Sequence, residues 1–558
     1  NAFDAAVAAG FTLQIVEPHL NGPAGEVPIL FAKAGQDKAT VLCGQGVAPQ
    51  AATIEHFKSL DLSLVPGTGL LSAVVPGAFD AWMLLLRDHG TWSLADVLAP
   101  AIHYAEHGQP LLPTTADVIA RMKGLFETEW TTSATLYLNK GHAPAANTLF
   151  RNLVLAETYK TLVKNATGTN RDAEIELARI LWRDGFVAET IDSFCRTTEA
   201  MDTSGRRHGG LLTGDDLARW TASYEDPATL DYHGYTVCKT GPWGQGPVFL
   251  QQLALLSGYD IAAMEPAGPD FVHTVVECAK LAFADREAFY GDPNFADVPL
   301  ETLLSADYAN TRRGLIGEMA SLDLRPGDIA GYGGPIGVGD TSPAGGQDLG
   351  EFGAGEPTVA KTGETRGDTC HLDVIDRHGN MVSATPSGGW LQGSPAIPDL
   401  GFCLNTRAQM FWLDERSPNA LAPGKRPRTT LTPSLALRDD KPYIAFGTPG
   451  GDQQDQWSTT FFLRHVHHGM NLQEAIDAPS FHSEHWPNSF YPRLAKPGRL
   501  VAEGRFTAQT LDELSRRGHD IVVASDWSEG RLSACANDGD LMRAAANPRG
   551  MQGYAVGR

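Results

Sequence analysis

One segment constrains this chain more than any other. Residues 331–367 carry 12 glycines in 37 positions with few apolar side chains, a composition that reads as a flexible loop or linker. Up to about residue 320, apolar-periodic runs separated by capping or turn residues predict helices over 93–107, 153–164, 171–185 and 270–290. Directly after the glycine-rich segment, β-like runs over 371–376 and 381–385 are joined by Arg377-His378-Gly379-Asn380, which predicts a hairpin. Strands are expected again at 434–437, 443–446 and 520–524, with helices at 458–467, 472–478 and 508–517. The chain therefore divides into a helix-rich part and a part richer in strands, and no internal repeat is visible.

Length and charge narrow the function. The 558 residues allow roughly four domain-sized units and a large core. The net charge of −22 is uneven: 25 Lys+Arg against 46 Asp+Glu up to Asp368, and 19 against 20 from Thr369 onward. An acidic surface with no basic cluster repels phosphate backbones, so small molecules or proteins are the expected partners and nucleic acid is not. The longest apolar stretch, residues 70–86, is broken by Pro76 and Asp80, so no membrane-spanning helix is expected. Seven scattered cysteines without a CxxC indicate neither a disulfide framework nor a thiolate zinc site. A reducing compartment fits, and of the cytoplasm and the periplasm the cytoplasm is favoured. The chain opens on Asn1 without Met, inside what reads as a helix over 2–9, which implies a native amino terminus further upstream.

The chemistry is expected at Gly367-Asp368-Thr369-Cys370-His371, where a threonine starts a strand just downstream of the flexible segment. A threonine hydroxyl is a weak nucleophile unless a base takes its proton, and a threonine that becomes a chain terminus can use its own α-amine. That requires cleavage between Asp368 and Thr369. The alternative is a Gly-Asp-Thr turn that merely enters a strand.

Several long motifs, in order, decide between these. Asn1-Ala2-Phe3-Asp4-Ala5-Ala6-Val7-Ala8 with Val16-Glu17-Pro18-His19, Val75-Pro76-Gly77, Leu98-Ala99-Pro100-Ala101-Ile102, Ala282-Phe283-Ala284-Asp285-Arg286, Tyr290-Gly291-Asp292-Pro293, Arg426-Pro427-Arg428-Thr429-Thr430-Leu431-Thr432-Pro433 and Gly447-Thr448-Pro449-Gly450-Gly451 resemble the γ-glutamyltransferase (γ-glutamyl transpeptidase) family of N-terminal-nucleophile hydrolases. The resemblance implies a precursor that cuts itself before Thr369. The large piece, 1–368, and the small piece, 369–558, would stay together as a heterodimer in a single α+β domain, a four-layer αββα sandwich. It implies Thr369 as nucleophile, Ser387 as the supporting hydroxyl where threonine is usual, and the backbone N–H groups of Gly450 and Gly451 as the oxyanion hole. A Pro-Gly-Gly turn suits that task, because backbone donors can approach with no side chain in the way. No cofactor or metal is implied.

The sequence departs from the family where a substrate amino acid would be held. Gln45 stands where a carboxylate-binding arginine is usual, and an amide brings no charge. Met410 replaces the acid that receives the ammonium, and Arg407 replaces a glutamine, so a cation stands where a cation should be received. Gly389 matches an asparagine, Thr429 and Thr430 keep the hydroxyls of two serines, and Asp452 follows the glycine pair. If Arg407 faces the pocket, a donor with a lone distal carboxylate, such as a glutaryl amide, suits it better than a γ-glutamyl one; the alternative is a surface or core-lining arginine. Residues 411–425 are shorter than the lid of typical bacterial members, which predicts an open site and more hydrolysis than transfer.

The expected function is thus a self-processing, zymogen-like amidohydrolase or acyltransferase acting on a small-molecule amide. Rivals are an acylase for glutaryl or cephalosporin-type groups, and a silent binding protein on the same fold. His465, His467, His468, His482 and His485 read as structural rather than metal-binding. Cys370 is expected to be buried on the sheet face opposite Thr369.

Overall fold

The computed structural model describes residues 1–337, 369–539, 541–549 and 553–557. Asp368, and the part of the glycine-rich segment beyond residue 337, lie outside the described residues.

Two antiparallel sheets form the centre. Their strands, in chain order, are β1 (Val27–Ala32), β2 (Ala39–Gly44), β3 (Ser223–Glu225), β4 (Ala228–Tyr232), β5 (Tyr235–Lys239), β6 (Leu372–Ile375), β7 (Met381–Ala384), β8 (Ser434–Arg438), β9 (Lys441–Gly447), β10 (Ser533–Asp538) and β11 (Leu541–Ala546). The first sheet runs β6-β7-β1-β2-β3 and the second β11-β10-β9-β8-β5-β4. Each sheet takes strands from both sides of residue 369.

Side-chain alternation builds the layers. In β1, Ile29 and Phe31 join an outer core, whereas Leu30 and Ala32 join the core between the sheets, as period-2 geometry requires. The inter-sheet core adds Val41, Cys43, Met381, Leu435, Leu437 and Ala445. Outside the first sheet lie α1 (Ala2–Val16), α2 (Ala78–His89), α3 (Leu94–His107), α4 (Leu153–Asn165) and α5 (Arg171–Arg183). Outside the second lie α6 (Gly246–Leu256), α7 (Pro269–Phe289) and α8 (Gln454–His468). The order helix, sheet, sheet, helix is the expected αββα sandwich of the α+β class.

The first helix begins at a capping box: Asn1 accepts from Phe3 and Asp4 N–H while the Asp4 carboxylate returns to the cap. The predicted helices and the hairpin around Gly379 (φ +89°) are present. The helix-rich first part also holds five sheet strands, β1 to β5, that the sequence reading did not predict. Strand β1 is buried at all six positions, so it shows no alternating polarity in the sequence. Among the described residues no helix is long and apolar enough to cross a membrane.

Candidate active site

Thr369 stands just before β6, and its position is set by backbone pairing. It forms an antiparallel bridge to Ser387, and Cys370 N–H donates to Pro386 O at 3.0 Å. The two hydroxyls come together: Thr369 Oγ1 lies 3.2 Å from Ser387 Oγ, and both residues are fully buried. Cys370 is buried, and its thiol donates to Glu17 Oε2 at 3.0 Å. Burial pushes the Glu17 carboxyl up, against that hydrogen bond.

Beyond Thr369, His371 bridges Thr385 Oγ1 (2.8 Å) and the Asp373 carboxylate (3.0 Å), which also accepts from Ser383 and Ser533. The His371 ring packs against Gly447, the last residue of β9; a Cβ there would fall 2.3 Å from it. Strand β9 therefore ends beside the segment that carries Thr369 and His371, and Thr448 to Gly451 follow directly.

Gly450 has φ +115°, a backbone open to glycine, and a Cβ there would lie 2.5 Å from the Trp457 ring. Gly451 opens the short turn that leads into α8. Among the described residues neither glycine N–H donates to an acceptor, as expected where a helix N-terminus leaves its first donors unpaired. Two such donors are what a developing oxyanion needs.

The other predicted residues divide into groups. Gln45 directly follows β2, whose pairing with β1 ends at Gly44 and Val27. Its Nε2 donates to Gly46 O, while its buried Oε1 has no partner among the described residues. Thr430 Oγ1 is likewise buried and unpartnered, whereas Thr429 Oγ1 accepts from Leu431 N–H. Gly388 and Gly389 both have positive φ and press on Glu26 and on Cys403 O respectively.

Two of the predicted side chains already hold partners within the fold. Asp452 is an anchor: Oδ1 accepts from Arg286 Nη1 and Ser489 Oγ, both at 2.6 Å, and Oδ2 from Ser489 N–H. Its carboxylate is consumed in holding α7 and the Ser489 loop together. Arg407 is fully buried, but it is not a lone cation. Its Nε donates to the Glu26 carboxylate, and its guanidinium lies over Trp390 (4.9 Å) and Phe490 (5.6 Å). Met410 packs with the same two rings.

In the uncut chain Thr369, Ser387 and Arg407 are all buried. Residues 411–425 fold onto themselves through Trp412 N–H to Asn419 O and Leu421 N–H to Trp412 O.

Sequence reasoning did not single out Glu26, which the structure joins directly to Ser387. Its N–H and C=O both pair with Ser387, at 2.9 and 3.0 Å. The available signal was Gly25: a Cβ there would fall 2.1 Å from Ser387 O, so glycine is compulsory where the chain presses on the site.

The downstream histidines serve the scaffold. His465 meets the Tyr443 hydroxyl and Met470 O, His467 the Tyr232 hydroxyl, and His485 Asp323 O. His482 pairs with Glu529 at 2.5 Å. Among the described residues, one group converges as metal ligands could: His273, Glu277 and His519. However, His273 already bonds His519 and Gly317 O, and Glu277 pairs with Lys280 and Arg325. As built, it is a charge-compensated hydrogen-bond network.

A family profile for gamma-glutamyltranspeptidase matches residues 1–557. The chain belongs to that family and is an enzyme of this type. The glutathione hydrolase-like YwrD proenzyme of Bacillus subtilis (strain 168) is 31% identical over 100% of this chain and 94% of its own length. Two solved structures of LmbA2991 are 57% and 55% identical, each with TM-score 0.92 over 100% of this chain and 94% of theirs. A cephalosporin acylase from Bacillus halodurans is 29% identical, with TM-score 0.80 over 98% of this chain and 90% of that one. The family thus includes both glutathione hydrolase-like and acylase relatives of this chain.

Proposed function

We propose that the chain is a self-processing amide hydrolase whose nucleophile is Thr369. In maturation, Thr369 Oγ1 attacks the Asp368 carbonyl carbon, the peptide C–N bond breaks as the acyl group moves to oxygen, and water hydrolyses the ester. The products are a carboxylate at Asp368 and a free α-amine on Thr369. That amine then acts as base: it takes the Thr369 hydroxyl proton during attack on a substrate amide and returns it to the leaving amine. Gly450 and Gly451 N–H groups hold the oxyanion, and water releases the acyl group. The large and small pieces remain together as a heterodimer, because both sheets interleave strands from 1–368 and 369–558.

The observation that carries this reading is the buried Thr369–Ser387 hydroxyl pair at 3.2 Å. The word proenzyme in the Bacillus subtilis relative's name supports the processing step. The experiment is rapid quench with a 4-nitroanilide substrate and peptide mass mapping, which should find the acyl group on Thr369. An adduct on any other residue would refute it.

On the acyl side, Gln45, buried Met410 and the Glu26–Arg407 pair do not reproduce the family's usual amino-acid clamp, so the acylase reading is favoured over γ-glutamyl hydrolysis. Faster initial hydrolysis of γ-glutamyl 4-nitroanilide than of simple acyl 4-nitroanilides would overturn that preference. All seven cysteines are buried free thiols, which supports a cytoplasmic location.

A further inference from the structure

The charges beside the reacting pair carry an inference about what acyl group is accepted, and it rests on Thr369 as the nucleophile. Glu26 is joined to Ser387 by two backbone hydrogen bonds, and Ser387 Oγ touches Thr369 Oγ1. The Glu26 side chain stays close: a Cβ on Gly388 would stand 2.7 Å from its Oε2. On its other side Oε1 accepts from Arg407 Nε. Trp390 and Phe490 cover the guanidinium, and every member of the group is fully or nearly fully buried. An acyl group on Thr369 Oγ1 therefore forms beside a carboxylate and a guanidinium at once.

We propose that Glu26 is the specificity-determining residue of the acyl side, its carboxylate offsetting Arg407 so that acyl groups without net charge are accepted and those ending in a carboxylate are rejected. The physical reason is like-charge repulsion where water is excluded. A second carboxylate drawn toward Arg407 must come within reach of Glu26, and in a weakly screened interior such a pair cannot both stay ionised without cost. An apolar acyl chain meets no such opposition and gains contact with Trp390, Phe490 and Met410. This reverses the preference expected from Arg407 alone.

The experiment compares pentanoyl-4-nitroanilide with glutaryl-4-nitroanilide, which share a five-carbon acyl chain and differ in the terminal carboxylate. It is run at pH 8, above the value of about 7 to which burial lifts Glu26 against the pull of Arg407. The processed wild-type enzyme should favour pentanoyl by about tenfold or more in kcat/KM, the size of one charged hydrogen bond or repulsion. Glu26→Gln keeps the shape and raises the local charge by one, so it should move the ratio toward glutaryl by about tenfold. Adding Arg407→Met should remove that gain. A wild-type preference for glutaryl overturns the proposal, and this arm needs no variant to fold. So does an unchanged ratio in Glu26→Gln. If the acyl adduct of either substrate maps to a residue other than Thr369, the functional reading fails, and this inference falls with it.

Discussion

Gly450→Ala tests the oxyanion assignment at the position where the backbone is most constrained. The residue has φ +115° and ψ 84°, which an L side chain rarely adopts. Forcing alanine there costs about 1–3 kcal/mol in backbone strain. The new Cβ would also lie 2.5 Å from a ring carbon of Trp457, which is itself buried. Overpacking of that kind costs about 1–3 kcal/mol more. The strain can be relieved only by turning the 450–451 peptide or by moving Trp457, and turning the peptide re-aims the N–H groups. Loss of one oxyanion donor lowers kcat by about 10²–10³. The expected variant is therefore about 2–6 kcal/mol less stable in urea unfolding and at least about a hundredfold slower in kcat on a 4-nitroanilide, with a smaller change in KM. A variant that is processed, is destabilised, and keeps kcat within about threefold of wild type would refute the assignment.

Other perturbations probe the neighbouring groups. Ser387→Ala removes the hydroxyl 3.2 Å from Thr369 Oγ1 and should lower kcat by about tenfold, read in single-turnover kinetics; an unchanged kcat would make Ser387 a backbone element only. Asp452→Asn removes one of the two buried carboxylates on Arg286, Glu287 being the other, and should cost about 1–3 kcal/mol in urea unfolding, whereas a cost below about 0.5 kcal/mol would contradict the anchoring role. His482 is pulled down by burial, but the Glu529 carboxylate and then Glu484 outweigh this and hold it at about 9. Because its folded pKa is raised above the ordinary value of about 6.5, its stabilising contribution is complete below that pH and is lost as pH rises through about 9. Urea unfolding at pH 6, 8 and 10 should show this decline in the wild type and a shallower one in His482→Gln; parallel declines would count against it.

The pairing of Thr369 with Ser387 follows a local mark in the sequence, a threonine at a strand start after a glycine-rich run. Gly450 was legible as well, since only glycine fits a positive φ against a tryptophan ring. The first-sheet strands β1 and β2 were not. Both lie between two covered faces, so Val27–Ala32 reads as an apolar run with a proline rather than as an alternating strand. Glu26 was invisible for a different reason. It acts through backbone pairing to a residue 361 positions away and through a charge contact 381 positions away, and neither leaves a local pattern. Arg407 shows the consequence: its electrostatic meaning depends on Glu26, a partner that sequence could not supply. The partners of Asp452 were hidden similarly, because Arg286 and Ser489 reach it from distant segments.

The central claim is that Thr369 cuts the chain and then becomes its nucleophile. Intact-mass measurement of the purified wild type and of Thr369→Ala tests it most directly. The account predicts that the wild type separates under denaturing conditions into two chains, the smaller being the 190 residues 369–558 with threonine at its amino terminus, while Thr369→Ala stays a single chain. A Thr369→Ala protein that separates at the same bond, or a single-chain wild type with full amidase activity, would contradict it.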